Sequence, residues 1–479
     1  MIRTTALWLF IAGVGMLSFR DWFRATLGLV ALIAVVEHPD FPKSLAGIQG
    51  LNPWNVLLAV CVISWLVNRR KEGIRWDFPG NLAFLLLIYV GFMMTAFIRA
   101  SNDLGAVIQF SMLMGNDDVP TFAGLFSEHV INCLKWMIPA IMIYDGCRSE
   151  RRLLETVVVI VGVYFLLAVQ IIKWMPFSAI SEGDMSERAL KILSNEVGFH
   201  RVNLSMMMSG AAWAAMYAAG IFQQRYMRLG FYFMAFAITL AMTLTGGRTG
   251  YVTWVIMGLG YAWLRNPKML LFLPFVAMIA IPMVPGLSDR LFAGFGDNKR
   301  DQNTLIENQQ QLELGGKSKV DLYTVTSGRT FAWPFVLDKI QEKPLLGYGK
   351  LAMQRTGLSY YLMSTYGEDF PHPHNMYLEW TFDNGLLALI PVLMFYGTIL
   401  TYAFRMLRGP PIESGVGGMT IALVGSLFIA GMGSQTFYPR EGAVAMWVAM
   451  LVTVRWYFLK YSALKANKGV LAAVSPYHA

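Results

Sequence analysis

Long apolar runs recur along this chain, and the loops between them are basic in regular alternation. Few folds satisfy both conditions. A helix crossing the hydrocarbon core of a bilayer needs about 20 mainly apolar residues. Candidates lie near 5–19, 24–37, 53–68, 80–98, 128–146, 153–176, 203–222, 229–246, 249–264, 268–285, 385–404, 415–434 and 441–459. That makes thirteen, or twelve if only one of the two short first runs spans. The fold class is therefore an all-α polytopic membrane protein, and its composition agrees. Only 14% of residues are charged, against about 25% in soluble domains.

Basic residues in short loops mark the cytoplasmic side. Arg69, Arg70, Lys71 and Arg75 follow the third run; Arg148, Arg151 and Arg152 the fifth; Arg225 and Arg228 the seventh; Arg265 and Lys268 the ninth; Arg405 and Arg408 the eleventh. All these loops can be cytoplasmic at once. Loops 99–127, 177–202, 246–249, 286–384 and 435–440 then face outside. The net charge of +9 follows from this pattern. The cations come in small groups between apolar runs, not as one nucleic-acid-binding patch. No small-residue cleavage site follows the first run, so the first spans are expected to direct insertion themselves. Cys61, Cys133 and Cys147 lack metal-ligand spacing, and Cys61 and Cys133 sit inside apolar runs as packing residues.

This divides the chain into spans and short loops over 1–285, a large outer loop over 286–384, and spans with a cytoplasmic tail over 385–479. Within the large loop, 297–321 is rich in Gln, Asn, Lys and Asp and reads as a weakly structured insertion. Loop 99–127 is partly apolar and suits the membrane surface. Phe331, Phe335, Val336 and Ile340 have helical spacing, which predicts an amphipathic helix over 329–342. It ends before Pro344, with Gly347 and Gly349 in the turn beyond.

Chemistry concentrates at the outer ends of the runs. Arg248 stands in LTGGRTGYV between two spans with almost no loop. A cation there is costly unless paired or hydrated. It suits a guanidinium fork on phosphate oxygens, the alternative being a turn arginine that snorkels to water. Arg201, with His200 beside it, opens the seventh run as a phosphate ligand or an interfacial anchor. Arg329 stands at the expected N-terminus of the loop helix, itself an anion site, unless it forms an ion pair within the loop. His374, in PHPHNMYLEW, is the candidate proton acceptor, since imidazole titrates near neutrality. Asn375 can orient it or a substrate hydroxyl. His372 with His374 makes only a weak metal pair at i,i+2 with no third ligand nearby. Glu379 and Asp383 can pair with an arginine, orient the histidine, or form a solvated interfacial face. Tyr377 and Trp380 read as interface-belt aromatics. Arg440, in YPREG, is the last outer arginine and a weaker candidate. Arginines suit a diphosphate and a histidine suits activating a hydroxyl. With no nucleotide-binding motif present, the donor must bring its own leaving group. Transport is disfavoured because the mid-span regions carry almost no charge.

The order SGRTFAW (327–333), KPLLGYGK (343–350), HPHNMYLEW (372–380) and Gly385, with the turn Gly247-Arg248-Thr249-Gly250, resembles the O-antigen ligase and O-antigen polymerase superfamily of bacterial inner membranes. The resemblance covers roughly 195–435. It implies a multi-pass inner-membrane glycosyltransferase of the cell envelope with a periplasmic active site. The donor is an undecaprenyl-diphosphate-linked glycan, and neither metal nor cofactor is needed. The acceptor is lipid A–core in ligases, another lipid-linked repeat in polymerases, and a protein side chain in related enzymes. The family's loop histidine maps onto His374 as base, with Asn375 beside it. Its arginines map onto Arg248, Arg201 and Arg329, and Tyr377 falls with them on the substrate side. Attack by the hydroxyl on the anomeric carbon would invert it. The polar insertion at 297–321 departs from the family pattern.

Overall fold

The computed structural model describes residues 2–45, 47–113, 120–175, 185–271, 328–367 and 369–474. Most of the expected run 268–285, the insertion 297–321 and Ser327 lie outside the described residues. What is described is almost wholly helical. Its one sheet is a two-stranded antiparallel pair, Ser44–Leu45 against Ile48–Gln49.

The helices of the first half are α1 (Ile2–Ser18), α2 (Trp22–Ala31), α3 (Pro53–Lys71), α4 (Gly80–Ser101), α5 (Gly105–Leu113), α6 (Phe122–Phe126), α7 (Asn132–Lys135), α8 (Ile138–Gly146) and α9 (Glu150–Trp174). Then come α10 (Met185–Glu196), α11 (Arg201–Ala219), α12 (Arg225–Leu244) and α13 (Arg248–Arg265). The loop region supplies α14 (Arg329–Glu342), α15 (Ala352–Arg355), α16 (Leu358–Tyr366) and α17 (Met376–Asn384). The last are α18 (Leu386–Met406), α19 (Pro411–Ala430) and α20 (Val444–Val474).

Among the described residues, six segments are long and apolar enough to span a membrane: α4, α9, α12, α18, α19 and Glu441–Lys460. This is fewer than the twelve or thirteen expected, although the expected runs are helical where described. α1 and α2 are too short. The run 128–146 is not continuous: a π-helical turn, Ser127–Ile131, leads through α7 into α8, which starts at a fresh break with Pro139 in its first turn. A proline there lacks only an N–H that has no helical partner anyway.

The core forms around α11. Ala211, Ala212, Ala214 and Ala215 are buried along it. Small residues let membrane helices approach closely, and here α19 comes so near that a side chain on Gly210 would overlap Ser426. Conversely, Phe84, Leu87, Phe233, Phe236, Ile390 and Met394 point outward. Exposed apolar side chains on long helices are what a lipid-facing surface requires.

Residues 328–367 and 369–384 pack together before the next long helix. α14 is the amphipathic helix predicted at 329–342, with Ala332, Val336 and Ile340 buried. It forms a small core with Met353, Leu358, Leu362, Phe370 and Phe382. This subdomain is bolted to the end of α4. Lys350 N–H donates to Ala96 O at 2.9 Å, and Tyr348 N–H and Gly349 N–H donate to Phe382 O and Asp383 O at 2.8 Å. Arg99 donates to Leu346 O, and to Asp383 O at 3.2 Å. The PLLGYG turn works because Gly347 and Gly349 take left-handed conformations, with φ of 64° and 93°, that a side chain would oppose.

Candidate functional site

His374 sits in a left-handed conformation, φ 52°. For a residue with a Cβ this costs about 1–2 kcal/mol, and such strain persists only where the surroundings hold it. They do so here. Pro373 O accepts from Trp333 Nε1 at 3.0 Å. Met376 N–H donates to Gly431 O at 2.8 Å. The imidazole is locked between two neighbours: its Nδ1 lies 3.0 Å from Ser434 Oγ, and its ring centre is 4.1 Å from that of His372. His372 Nδ1 accepts from His374 N–H at 3.3 Å, which places the His372 proton on Nε2.

The turn bearing Ser434 also brings in the arginines. A side chain on Gly433 would strike Thr249 at 2.7 Å, so the 431–434 turn lies against the start of α13. α12 ends at Leu244 and α13 begins at Arg248. The two-glycine turn is tight because Ser205 lies directly against it: Ser205 Oγ donates to Gly247 O at 3.0 Å, and a side chain on Gly247 or Gly250 would run into Ser205. Arg201 Nη1 donates to Gly246 O at 3.2 Å, from the first residue of α11. Arg329, at the N-terminus of α14, is half-buried and close enough to Arg248 for its charge to be destabilised, burial first and Arg248 second. His374, His372, Arg329, Arg248 and Arg201 thus form one patch at one end of the bundle.

The electrostatics of the patch decide protonation. Burial, then His372, then Arg329 push the His374 imidazole down to about 3, against a weaker upward pull from Glu379. Burial lowers His372 as well, and burial with Arg201 lowers His200. His374 is therefore neutral at physiological pH. If Nδ1 donates its hydrogen to Ser434, the Nε2 lone pair is available as a base. The arginines stay protonated, as guanidinium does, so the patch combines a neutral base with crowded positive charge.

Other expected site residues have structural roles. Asn375 Oδ1 caps α17, accepting from Tyr377 N–H at 3.0 Å and Leu378 N–H at 3.2 Å. Asn375, expected to orient the histidine or a substrate hydroxyl, commits this oxygen to helix N–H groups that would otherwise lack partners. Tyr377 Oη donates to Phe428 O at 3.0 Å, which ties α17 to α19. Trp380 is fully buried, not an interface-belt residue. Glu379 and Asp383 are not a solvated face, and their cation is a lysine. Lys350 Nζ is 3.2 Å from each carboxylate. Asp383 also accepts from Ala352 N–H at 3.1 Å and Tyr438 Oη at 2.8 Å. Burial opposes ionisation of Glu379, but Lys350, His372 and Arg440 bring it down to about 2. Burial leaves Asp383 raised despite the same lysine.

Several residues near the patch went unrecognised in sequence. Ser434 gives no signal as a single serine after a span. Lys350 belongs to KPLLGYGK, but nothing in that motif tells a buried lysine from an exposed one. His129, on the π-helical turn, comes from a region that reads as generic spans, yet it lies within electrostatic reach of Lys350, Arg440 and Glu379. Arg440, the weaker candidate in the sequence, is exposed and within electrostatic reach of Glu379. Among the described residues no group of three or more His, Cys, Asp or Glu side chains is placed to hold a metal.

Fold and patch together define a polytopic helical membrane protein with histidines and arginines gathered at one end of its bundle. Residues 233–393 match the model of the family described as O-Antigen ligase. The match contains Arg248, Arg329, Lys350, His372 and His374, whereas Arg201, Ser434 and Arg440 fall outside it. No curated protein matches the chain.

Proposed function

We propose that this protein transfers a glycan from undecaprenyl diphosphate to an acceptor hydroxyl on the periplasmic face of a bacterial inner membrane, with lipid A–core as the acceptor. The reading is carried by one observation: a neutral, strained imidazole held beside two mutually repelling arginines. A ligand diphosphate relieves that repulsion, and forked guanidinium contacts suit its oxygens. Arg248 and Arg329 hold the leaving group, and Arg201 supports the turn that carries Arg248. His374 takes the proton of the acceptor hydroxyl as oxygen attacks the anomeric carbon. The C–O bond to undecaprenyl diphosphate breaks from the opposite face, inverting the centre, and arginine stabilises the departing charge. No step requires a metal or nucleotide. The periplasmic placement rests on the basic loops at the opposite helix ends.

The test is transfer by purified protein in EDTA, offered lipid A–core and a second lipid-linked repeat as acceptors. His374→Ala and Arg248→Ala should both abolish transfer while remaining monodisperse. Activity in both variants overturns the assignment, and lengthening of the lipid-linked repeat instead of labelling of lipid A–core makes the protein a polymerase.

A further inference from the structure

A pocket adjoins the His374 patch without belonging to it. It opens between the start of α11, the end of α19 and the turn leading into α20. It is partly open to solvent. Its lip carries Asn203, Gln435, Arg440 and Glu441, and Phe199 and Phe437 form aromatic wall beneath them. Gln435 directly follows Ser434, the partner of His374, so the pocket begins one residue from the group that contacts the proposed base. Neither His374, Arg248 nor Arg329 lines it.

The lip chemistry is selective. A diphosphate wants cations without a competing carboxylate, but here the Glu441 carboxylate lies close enough to Arg440 to feel its charge. An alkyl chain wants no polar lip. Among the described residues the Asn203 amide has no hydrogen-bond partner and Arg440 has no ion pair, so both remain available to a ligand. A carboxylate accepts from hydroxyls, a guanidinium donates to them, and an amide does both. That set, over aromatic rings, fits a neutral polyol ring with polar edges and an apolar face.

We propose that this pocket is a sugar subsite, binding one pyranose ring of a glycan through Asn203, Arg440 and Glu441 over Phe199 and Phe437. The inference rests on the glycan-transfer reading for its location and extends it, because it separates sugar recognition from diphosphate recognition. The ring can belong to the donor glycan or to the acceptor, and kinetics distinguish the two.

The test uses full-length Asn203→Ala and Glu441→Gln in detergent. The sugar probe is the oligosaccharide released by mild acid from the host's own lipid-linked glycan, and the control ligand is undecaprenyl diphosphate without sugar. Binding of the oligosaccharide should weaken at least tenfold in each variant, while undecaprenyl diphosphate binds within twofold of the parent. In turnover, a tenfold rise in KM for the donor alone assigns the ring to the donor, and the same rise for the acceptor alone assigns it to the acceptor. Unchanged oligosaccharide binding overturns the proposal. So does a matched loss of undecaprenyl diphosphate binding, which would make the pocket a site for the lipid chain. If the parent transfers nothing yet binds the oligosaccharide, and Glu441→Gln loses that binding, the subsite stands and the transfer reading falls.

Discussion

At the scale of residues, the balance between burial and charge governs His374. Its conjugate acid is disfavoured by burial, by His372 and by Arg329, and is favoured only by Glu379. A base works when neutral, so lowering its pKa extends its working range toward acid. The acid limb of kcat/KM, which reports the free enzyme, should lie well below the ordinary imidazole value of about 6.5. A bound diphosphate partly neutralises Arg329 and so raises the imidazole, which should place the acid limb of kcat higher than that of kcat/KM. A kcat/KM limb at or above 6.5 would show that His374 is not the group being titrated. Removing the base by His374→Ala should cost about 10²–10⁴-fold in kcat. Ser434→Ala leaves the base but frees its orientation, and a smaller loss in kcat with little change in donor KM is expected from steady-state assays. That the histidine and arginines would gather on one side was legible from their place at span ends. Ser434 was not: its role depends on a turn lying 60 residues away in sequence.

At the scale of elements, the buried network of Lys350, Glu379, Asp383 and Tyr438 fastens the loop subdomain to α17 and to the turn before α20. The Lys350 ammonium also stands 3.5 Å from the centre of the Tyr438 ring. Removing one partner of a buried ion cluster costs about 3–5 kcal/mol, because the remaining charges lose their compensation. Lys350→Met should therefore lower thermal stability sharply in detergent. Adding Glu379→Gln and Asp383→Asn should recover part of the loss, since the stranded carboxylates are then gone. If Lys350→Met melts with the parent, the cluster does not hold the element. Gly385 is less forgiving still. Its φ is 81°, and a side chain there would run into Leu345 O, so Gly385→Ala should yield no folded protein by size-exclusion chromatography. α14 was legible because amphipathic spacing is local. The role of Glu379 and Asp383 was not, because the cation that pairs with them is supplied by a turn and not by the arginines their position suggested.

At the scale of the whole molecule, the contacts sort helix ends into two groups. Arg99, Arg201, Arg248, His374, Ser434 and Arg440 gather at one end. The other end is stitched by a different charge network. Arg455 forks onto Asp77 at 2.7 and 2.8 Å and donates to Tyr144 O at 2.7 Å. Arg148 reaches Asp77 and Asp145, and Arg69 lies 2.8 Å from Asp145. These ends belong to the basic loops that the sequence pattern assigns to the cytoplasm, so the alternation read from sequence and the grouping seen in the fold agree independently. The number of spans was less legible, because apolar composition does not distinguish a crossing helix from one broken at a π-helical turn and a proline, as between 127 and 146. The shared grouping makes a prediction that needs no substrate. Cys61, Cys133 and Cys147 are all buried, so a membrane-impermeant maleimide should leave the parent unlabelled in intact inner-membrane vesicles. A single cysteine at Arg440 should label from the periplasmic face only, and one at Arg70 or Arg408 from the cytoplasmic face only. Labelling of 440 and 70 from the same face would break the alternation. Reversal of both faces would keep the bundle and its patch intact but place the patch in the cytoplasm, where nucleotide-activated donors are available and the argument for a lipid-diphosphate donor loses its force.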